Sequence, residues 1–215
     1  MEAQLYSNNF ADPLKVLRDC HQRIMKFLAV LIRISRDYRG GSFGKLDRAD
    51  MEASLRYFHS AIALHSADEE VSIFSRLLMD AADPASNVHA EVRTLEGEHR
   101  TLSKAHDEIE RFGRIWLDTG SLPPADWNAL NKLLDAVNTT YWRHIATEET
   151  VIYPLAAKLM TPEDMVTAGR EMAHRRGIDL NAFDGLPRTS QRKIHGALLL
   201  AKRSPDAGKK PGETA

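Results

Sequence analysis

Two short stretches of the sequence carry a histidine and a glutamate four residues apart. The first is His65 with Glu69 in LHSADEEV, and the second is His144 with Glu148 in RHIATEETVIYP. Residues four apart lie one above the other on an α-helix, about 6 Å from each other, so each pair can direct two ligand atoms at one point. Imidazole nitrogen and carboxylate oxygen suit iron, manganese or zinc. The pairs are therefore candidates for two halves of a metal site.

Both pairs fall on the predicted inner face of their helices. The apolar residues at helical spacing are Leu55, Phe58 and Ile62 before His65, and Leu130, Leu134, Val137 and Tyr141 before His144. A carboxylate in an apolar core is costly unless a positive charge compensates it. A bound metal ion would supply that charge for both glutamates.

Two more histidines interrupt apolar series of the same kind. The series around His21 is Leu14, Leu17, Ile24 and Leu28, and the series around His99 is Val92, Leu95 and Leu102. Each of four long amphipathic segments thus places one histidine on its core face.

The fold class predicted from these periodicities is all-α, because alternation of period two is absent over any useful length. Helices are expected from Asp12-Pro13 to Gly40-Gly41, from near Asp47 to Ala82-Asp83-Pro84, from about Ala85 to Gly120, and from Leu122-Pro123-Pro124 onward. Val151 and Leu155 continue the core-facing apolar series of the fourth helix. Long helices joined by short breaks indicate an up-and-down antiparallel four-helix bundle.

A shorter fifth helix is predicted after the bundle. Thr161-Pro162-Glu163-Asp164 is typical of a capping box, and the helix should end at Arg175-Arg176-Gly177, where the arginines complement the helix dipole. Residues 1–177 are expected to form one domain, with 178–215 as a C-terminal extension. Ser190 to Lys202 could add a turn or helix, and the SPDAGKKPGETA end should be disordered.

The height of each candidate ligand along the bundle axis determines which of them can lie close together. The four histidines stand at matching distances from the breaks that join their helices, so antiparallel packing brings them to one height. A third pair of the same spacing, His106 with Glu110, lies two turns further along, about 10 Å away, and is excluded. The residues that can converge are His21, His65, Glu69, His99, His144 and Glu148.

Six protein ligands are too many for one metal ion of ordinary coordination if each carboxylate also bridges to a second ion. Two ions, each with two imidazoles and one oxygen from each shared carboxylate, leave room for an oxo or hydroxo bridge and an exchangeable position. Nitrogen and oxygen ligands without sulfur suit iron or manganese, with zinc possible. Such a centre can react with dioxygen or undergo redox chemistry.

The ordered motifs resemble those of hemerythrin-like proteins, the HHE cation-binding family. The resemblance covers roughly residues 12 to 160 and rests on VLRDCHQRI, HSADEEVSIF, LEGEHRTL and HIATEETVIYPL, which give the order H, HxxxE, H, HxxxE. It implies a four-helix bundle with a non-heme di-iron centre, in which the four histidines are terminal ligands and Glu69 and Glu148 bridge.

One position departs from the oxygen-carrying members of that family. Those members have a second histidine where this chain has Ser103, whereas the place of their last carboxylate is occupied by Glu149, beside Glu148. The resemblance is therefore to a six-ligand branch associated with iron or oxygen sensing, peroxide chemistry and oxidative or nitrosative stress.

Three functions remain open at this point, beside a metal-free helical scaffold. The first is a di-iron protein that binds or reacts with dioxygen, peroxide or nitric oxide. The second is a peroxide-decomposing, catalase-like enzyme on the same centre. The third is a sensor or partner-binding module in which the iron or oxygen state changes the packing of the fifth helix and the C-terminal segment.

Residues near the six candidates carry further expectations. Tyr141 stands one turn before His144, either as a core aromatic or as an outer hydrogen-bonding partner of the site. Glu70 and Glu149 are expected to face solvent, although a small rotation of the helix would let either one replace its bridging neighbour. Cys20 is expected to be a small buried residue, with a role as a redox partner as the alternative. The remaining histidines are expected at the surface or in packing roles: His59, His89, His174 and His195.

Composition excludes several other classes of function. With 29 Lys plus Arg and 30 Asp plus Glu, the net charge of -1 does not favour nucleic-acid binding. The single cysteine excludes an internal disulfide and thiolate clusters for zinc or iron-sulfur. No signal-peptide pattern and no apolar run near the ~20 residues of a membrane span is evident. The expected location is the cytoplasm.

Overall fold

Four long antiparallel helices, two of them interrupted by π-helical turns, enclose the core of the protein. The structure is a computed structural model that describes residues 10–80 and 87–178. Its elements are α1 (Pro13–Tyr38), α2 (Lys45–Ala67), π1 (Asp68–Phe74), α3 (Ser75–Asp80), α4 (Asn87–Thr119), α5 (Pro124–Thr147), π2 (Glu148–Ile152), α6 (Tyr153–Leu159) and α7 (Pro162–Arg175). The second bundle helix is α2, π1 and α3 in succession, and the fourth is α5, π2 and α6. No strand occurs in the ranges described.

Neighbours in sequence are neighbours in space, as the up-and-down arrangement predicts. Helix α1 packs against α2 and α5, and α4 packs against the same two helices, which closes the bundle. The Asp12 side chain caps α1 by accepting a hydrogen bond from the Lys15 amide at 2.9 Å. The predicted capping box is also present, because Thr161 and Asp164 bond each other's backbone amides at the start of α7. The all-α bundle with a fifth helix is thus confirmed.

The π-helical turns lie at equivalent places in the second and fourth bundle helices. In each, a backbone N–H bonds a carbonyl five residues earlier: Ser75 to Glu70, and Tyr153 to Glu148. A π-turn widens the helix and advances the inward face by one residue. Period 3.6 does not reveal such a turn, and the sequence patterns did not predict it.

A shift of the buried face follows from the second π-turn. Val151 was predicted to face the core, but it is 45% exposed, whereas the next residue, Ile152, is fully buried. Likewise, Ala156 is fully buried beside the half-buried Leu155. The apolar stripe of the fourth bundle helix therefore advances by one position after Glu148.

The core consists of two apolar clusters that flank a layer of buried polar residues. This polar layer contains His21, His65, Glu69, His99, His144 and Glu148. On each bundle helix the polar residues fall between a member of one cluster and a member of the other. The flanking pairs are Leu17 and Ile24, Ile62 and Ile73, Leu95 and Leu102, and Tyr141 and Ile152. The bundle therefore positions this polar layer rigidly from both sides.

Helix α7 closes the end of the bundle next to the polar layer. It packs on α1 and on π1, and its Ala168, Met172 and Ala173 are fully buried. Gly169 lets the helix approach the backbone at Phe10, since a Cβ atom at this position would overlap the Phe10 carbonyl oxygen. The fit of α7 depends on this close approach.

We expect Gly169→Ala to destabilise the protein by about 1–3 kcal/mol, because backbone must move to admit one methyl group. The matched control is Gly97→Ala, inside α4, where the nearest atom to a new Cβ is the Arg100 guanidinium at an ordinary 3.8 Å. Alanine is the better helix former there and should add up to ~1 kcal/mol. Urea unfolding followed by circular dichroism measures the change in the free energy of unfolding for the two variants. Equal changes in the two variants would contradict the close approach of α7 to Phe10.

Some predictions lie outside the described residues. These are the turn or helix at Ser190 to Lys202, the disordered end, the break at Ala82-Asp83-Pro84 and the role of His195. Among the described helices, none combines the length and apolar character needed to cross a membrane.

Candidate metal site

The polar layer brings together all six residues selected from the sequence. They form two groups that share both glutamates: His21 and His65 with Glu69 and Glu148, and His99 and His144 with the same two glutamates. Within each group the potential ligand atoms lie within 4.8 Å of one another. Every one of these side chains is buried, and both glutamates are fully buried.

The two carboxylates lie between the four imidazoles. Glu148 Oε2 is 3.2 Å from His21 Nε2, and Glu148 Oε1 is 3.0 Å from His144 Nε2. Glu69 Oε2 is 3.4 Å from His65 Nε2 and 3.2 Å from His99 Nε2. Each carboxylate thus contacts one histidine of each group, which is the arrangement of a bridging ligand.

Three carboxylate oxygens in this layer have no hydrogen-bond partner among the described residues: Glu69 Oε2 and both oxygens of Glu148. Buried carboxylate oxygens are normally paired, because an unpaired one loses its hydration without compensation. Here they face imidazole nitrogens without the geometry of a hydrogen bond. Unpaired carboxylate oxygens that converge with imidazole nitrogens at a buried point fit a metal cation, and the residues present therefore suit a pair of cations.

Three more carboxylates accept hydrogen bonds from the outer ring nitrogens of three of these four histidines. Nδ1 of His21 is 2.8 Å from Glu149, Nδ1 of His99 is 2.8 Å from Glu70, and Nδ1 of His144 is 2.9 Å from Glu98. An ionised carboxylate only accepts hydrogen bonds, so each Nδ1 carries the proton. In the neutral ring Nε2 is then unprotonated, and its lone pair points toward the site.

Glu70 and Glu149 were expected to face solvent, and this was wrong. Their side chains are each 36% exposed, but each bonds a histidine on a neighbouring helix. The π-turns explain the difference, because successive residues are separated by a smaller angle than on an α-helix, so both members of an EE doublet can point toward the bundle. The doublet itself was the available signal in the sequence.

Burial and charge set the protonation of this layer. Burial disfavours protonated His21, but the adjacent carboxylates of Glu148 and Glu69 outweigh it and raise its pKa well above the ordinary value. The same balance raises the pKa of His99 to about 9. Burial lowers the pKa of His65 to about 3, so this ring is neutral. Burial opposes the charge of Glu69, yet the imidazoles hold its pKa well below the usual range. Metal ions would replace imidazole protons as the compensating positive charge.

Tyr153 is a site residue that the sequence patterns missed. Its fully buried hydroxyl donates to Glu69 Oε1 at 2.5 Å and lies 3.2 Å from His21 Nε2. On a regular helix Tyr153 would point about 180° away from His144, nine residues earlier. The π-turn between them brings it to the inner face. The repeated His-to-aromatic spacing in HSADEEVSIF and HIATEETVIY was the signal that could have revealed it.

Tyr141 does not take the outer role that was considered for it. Its hydroxyl is 2.7 Å from Nε2 of His106 rather than from any of the six residues, and only its ring edge approaches His144, with centroids 6.4 Å apart. His106 stacks on Phe58 and belongs to neither group, as its height predicted. Burial lowers the pKa of His106 to about 4.

Other candidates lie away from the metal donors. Cys20 is buried and accepts from the Arg23 guanidinium at 2.9 Å, and burial raises the pKa of its thiol. His59 is exposed and pairs with Glu110 at 2.9 Å. His174 is exposed, and His89 is half-buried. Neither Cys20 nor His59 joins the two groups described here.

The arginines at the end of α7 do more than complement the helix dipole. Arg175 and Arg176 form ion pairs of 2.7 and 2.6 Å with Asp68, whose carboxylate is fully buried and directly precedes Glu69. Glu171 accepts from Ser72 at 2.6 Å and from Arg76 at 2.7 Å. The first π-turn is therefore tied to α7 by charged and polar contacts.

A cavity of about 370 Å³ opens between α2 and α4 and reaches the site. Its lining includes His99, Ser66, Ser103 and His106. Ser103 stands at the position where the resemblance places a histidine in oxygen-carrying members of the family. Its side chain is exposed and belongs to neither of the two groups. The cavity gives a small molecule a route to the His99 side.

Comparison with known proteins decides the family. The hemerythrin HHE cation binding domain matches residues 12–156, about two thirds of the chain. The chain belongs to this family. It is also similar to an uncharacterized protein of Haemophilus influenzae, at 23% identity over 168 residues that cover 78% of this chain and 91% of the relative.

Membership in the hemerythrin HHE family accounts for the bundle and for the cation-binding character of the polar layer. The matched region runs from the cap of α1 into α6 and contains all six converging residues together with Tyr153. Helix α7 lies outside it. The contacts between α7 and Asp68 therefore join the matched region to a helix that lies beyond it.

Proposed function

We propose that this protein is a non-heme di-iron protein that binds or reacts with dioxygen, peroxide or nitric oxide. The observation that supports the proposal is the sharing of Glu69 and Glu148 by two histidine pairs in a buried layer. In this role the imidazoles of each pair hold one ion, and the two carboxylates hold both.

Iron is the metal we assign, because the family resemblance implies a di-iron centre and the nitrogen and oxygen donors suit iron. Manganese and zinc would find the same donors and are the competing occupants. A bound iron pair would supply a reducible centre with a position open to a small molecule. The chain contributes rigid placement of the donors, through Glu70, Glu98 and Glu149 on the outer imidazole nitrogens.

The cavity beside α2 and α4 supports a small molecule as the partner of the site. At about 370 Å³ it has room for diatomic molecules or peroxide, and His99 is part of its lining. Its wall combines apolar residues such as Phe58 and Ile62 with charged residues such as Arg100 and Asp107.

Exposure of the reduced, iron-loaded protein to each small molecule tests this function. We expect dioxygen, hydrogen peroxide or nitric oxide to change its visible spectrum. Catalytic evolution of oxygen from peroxide would assign the catalase-like enzyme, whereas stoichiometric oxidation would assign binding or sensing. A spectrum that none of the three changes would contradict the proposal.

Glu149→Ala should weaken metal binding without abolishing it. The substitution removes the acceptor that fixes the His21 ring, and loss of such a partner typically costs 10–100-fold in metal affinity. Competition titration with a chromogenic chelator measures the change. Glu163→Ala, an exposed residue in the first turn of α7, is the control and should retain the affinity of the unmodified protein. Equal affinities of the two variants would contradict the role of Glu149.

A partner-binding module that responds to iron is the second candidate function, favoured by the contacts of Asp68. Because Asp68 precedes Glu69, movement of the first π-turn on metal binding would act directly on Arg175 and Arg176. We expect hydrogen exchange in α7 to slow when iron binds, and to lose this response in Asp68→Asn. Identical exchange with and without iron would count against this function.

A further inference from the structure

The two halves of the site are built from a repeated segment. HSADEEVSIF (residues 65–74) and HIATEETVIY (residues 144–153) agree in the histidine, the EE doublet and the terminal aromatic. Both contain a π-turn that begins within four residues of the histidine. The structure gives matching residues matching roles, as Glu70 holds His99 and Glu149 holds His21.

The aromatic residues at the ends of the repeat also match in position. The Phe74 ring is stacked with His99, with centroids 6.3 Å apart and planes 2° apart. The Tyr153 ring is stacked with His21, with centroids 5.7 Å apart and planes 10° apart. Each aromatic ring therefore flanks a histidine of a different group.

One oxygen atom distinguishes the two halves. The Tyr153 hydroxyl lies 2.5 Å from Glu69 Oε1 and 3.2 Å from His21 Nε2, and the tyrosine is fully buried. Phe74 offers no oxygen in the other half. Both neighbours of the hydroxyl are donors of the group formed by His21, His65, Glu69 and Glu148. A cation bound by that group would therefore lie next to the phenol oxygen.

We propose that the Tyr153 phenolate oxygen is a further ligand of the iron held by His21 and His65. The inference rests on the proposed di-iron function and deepens it. The bond from oxygen to iron(III) forms as the O–H bond breaks, and the proton leaves to solvent; no electron is transferred. Phenolate is a hard anionic donor that suits iron(III).

With Tyr153 as a ligand, the two iron positions differ in their coordination. At the His21 and His65 position, Tyr153 occupies a place that a small molecule would otherwise take. At the His99 and His144 position the corresponding place is next to Phe74 and remains open. The cavity between α2 and α4 reaches His99, so the open position lies on the side with access. Exogenous ligands should accordingly bind the His99 and His144 iron.

Visible absorption and resonance Raman spectra of the iron(III)-loaded protein test this ligand, with iron content measured on each sample. We expect a phenolate-to-iron(III) charge-transfer band with enhanced tyrosine ring vibrations in the unmodified protein. Tyr153→Phe should retain two irons per chain and lose the band. Tyr141→Phe, which removes a second buried phenol hydroxyl one turn from His144, should keep it.

The outcomes separate this inference from the function on which it rests. Two bound irons without a tyrosine-enhanced band in the unmodified protein would overturn the ligand and leave the di-iron proposal standing. Persistence of the band in Tyr153→Phe would do the same. Absence of bound iron from the unmodified protein would overturn both. Since the spectrum of the unmodified protein decides the first case, the test does not depend on the folding of the variant.

Discussion

Replacing Glu148 by alanine should reduce the metal content from two ions per chain to less than one. Glu148 belongs to both groups of donors, so its loss takes an oxygen ligand from each ion at once. It also removes the negative charge between the four buried imidazoles, which increases the repulsion between the two cations. Elemental analysis of protein that has been loaded with iron and then desalted measures the effect.

Glu110→Ala is the matched control for this substitution. Glu110 also follows a histidine by four residues on a helix, but its partner is the exposed His59, and it lies outside both groups. The variant should keep the full metal content. Retention of two ions by Glu148→Ala, or equal losses in both variants, would contradict the assignment of Glu148 as a shared ligand.

Removal of the metal should lower thermal stability strongly. An ion that binds only the folded state at a thousandfold excess over its Kd adds about 4 kcal/mol, so two ions add about 8 kcal/mol. For a chain of this size each kcal/mol moves the Tm by about 2–4 °C, which gives a loss of roughly 16–32 °C on chelation. Differential scanning calorimetry before and after chelation measures it.

The Glu148→Ala variant provides the control for chelation as well. Because it should hold little metal, its Tm should hardly respond to the chelator. A large fall in the Tm of the unmodified protein with no fall in the variant would link the stability to the shared site. An unchanged Tm of the unmodified protein would contradict it, since two buried carboxylates would then be accommodated without a cation.

The periodicity of apolar residues was sufficient to predict the four-helix bundle, because core residues recur at regular helical spacing over long segments. It also placed His106 outside the site, since two turns of helix separate its height from that of His99. Caps at Asp12 and Thr161 could be predicted because their chemistry is local. The family match over residues 12–156 agrees with the motifs from which the resemblance was drawn.

The outer partners of the site could not be predicted from the same periodicity. Glu149 and Tyr153 depend on a π-turn, which changes the angle between successive residues in only one or two turns of helix. Val151 was assigned to the core for the same reason. The pairing of Asp68 with Arg175 and Arg176 is a contact between distant segments, and neither residue type nor spacing specifies it.

The geometry also shows why both members of each EE doublet matter. The first glutamate of each doublet is fully buried between the histidine pairs, and the second holds a histidine of another helix. A single π-turn thus supplies both a carboxylate that belongs to the two groups and a carboxylate that holds a histidine of a neighbouring helix. Restoring a regular α-helix at either place would move one of these two carboxylates away from the site.

Anomalous X-ray scattering at the iron edge, from crystals of the iron-loaded protein, tests the central claim most directly. We expect two separate peaks within the polar layer, one between His21 and His65 and the other between His99 and His144, with Glu69 and Glu148 bound to both. A single peak, or no peak among these six side chains, would contradict a site that holds two metal ions.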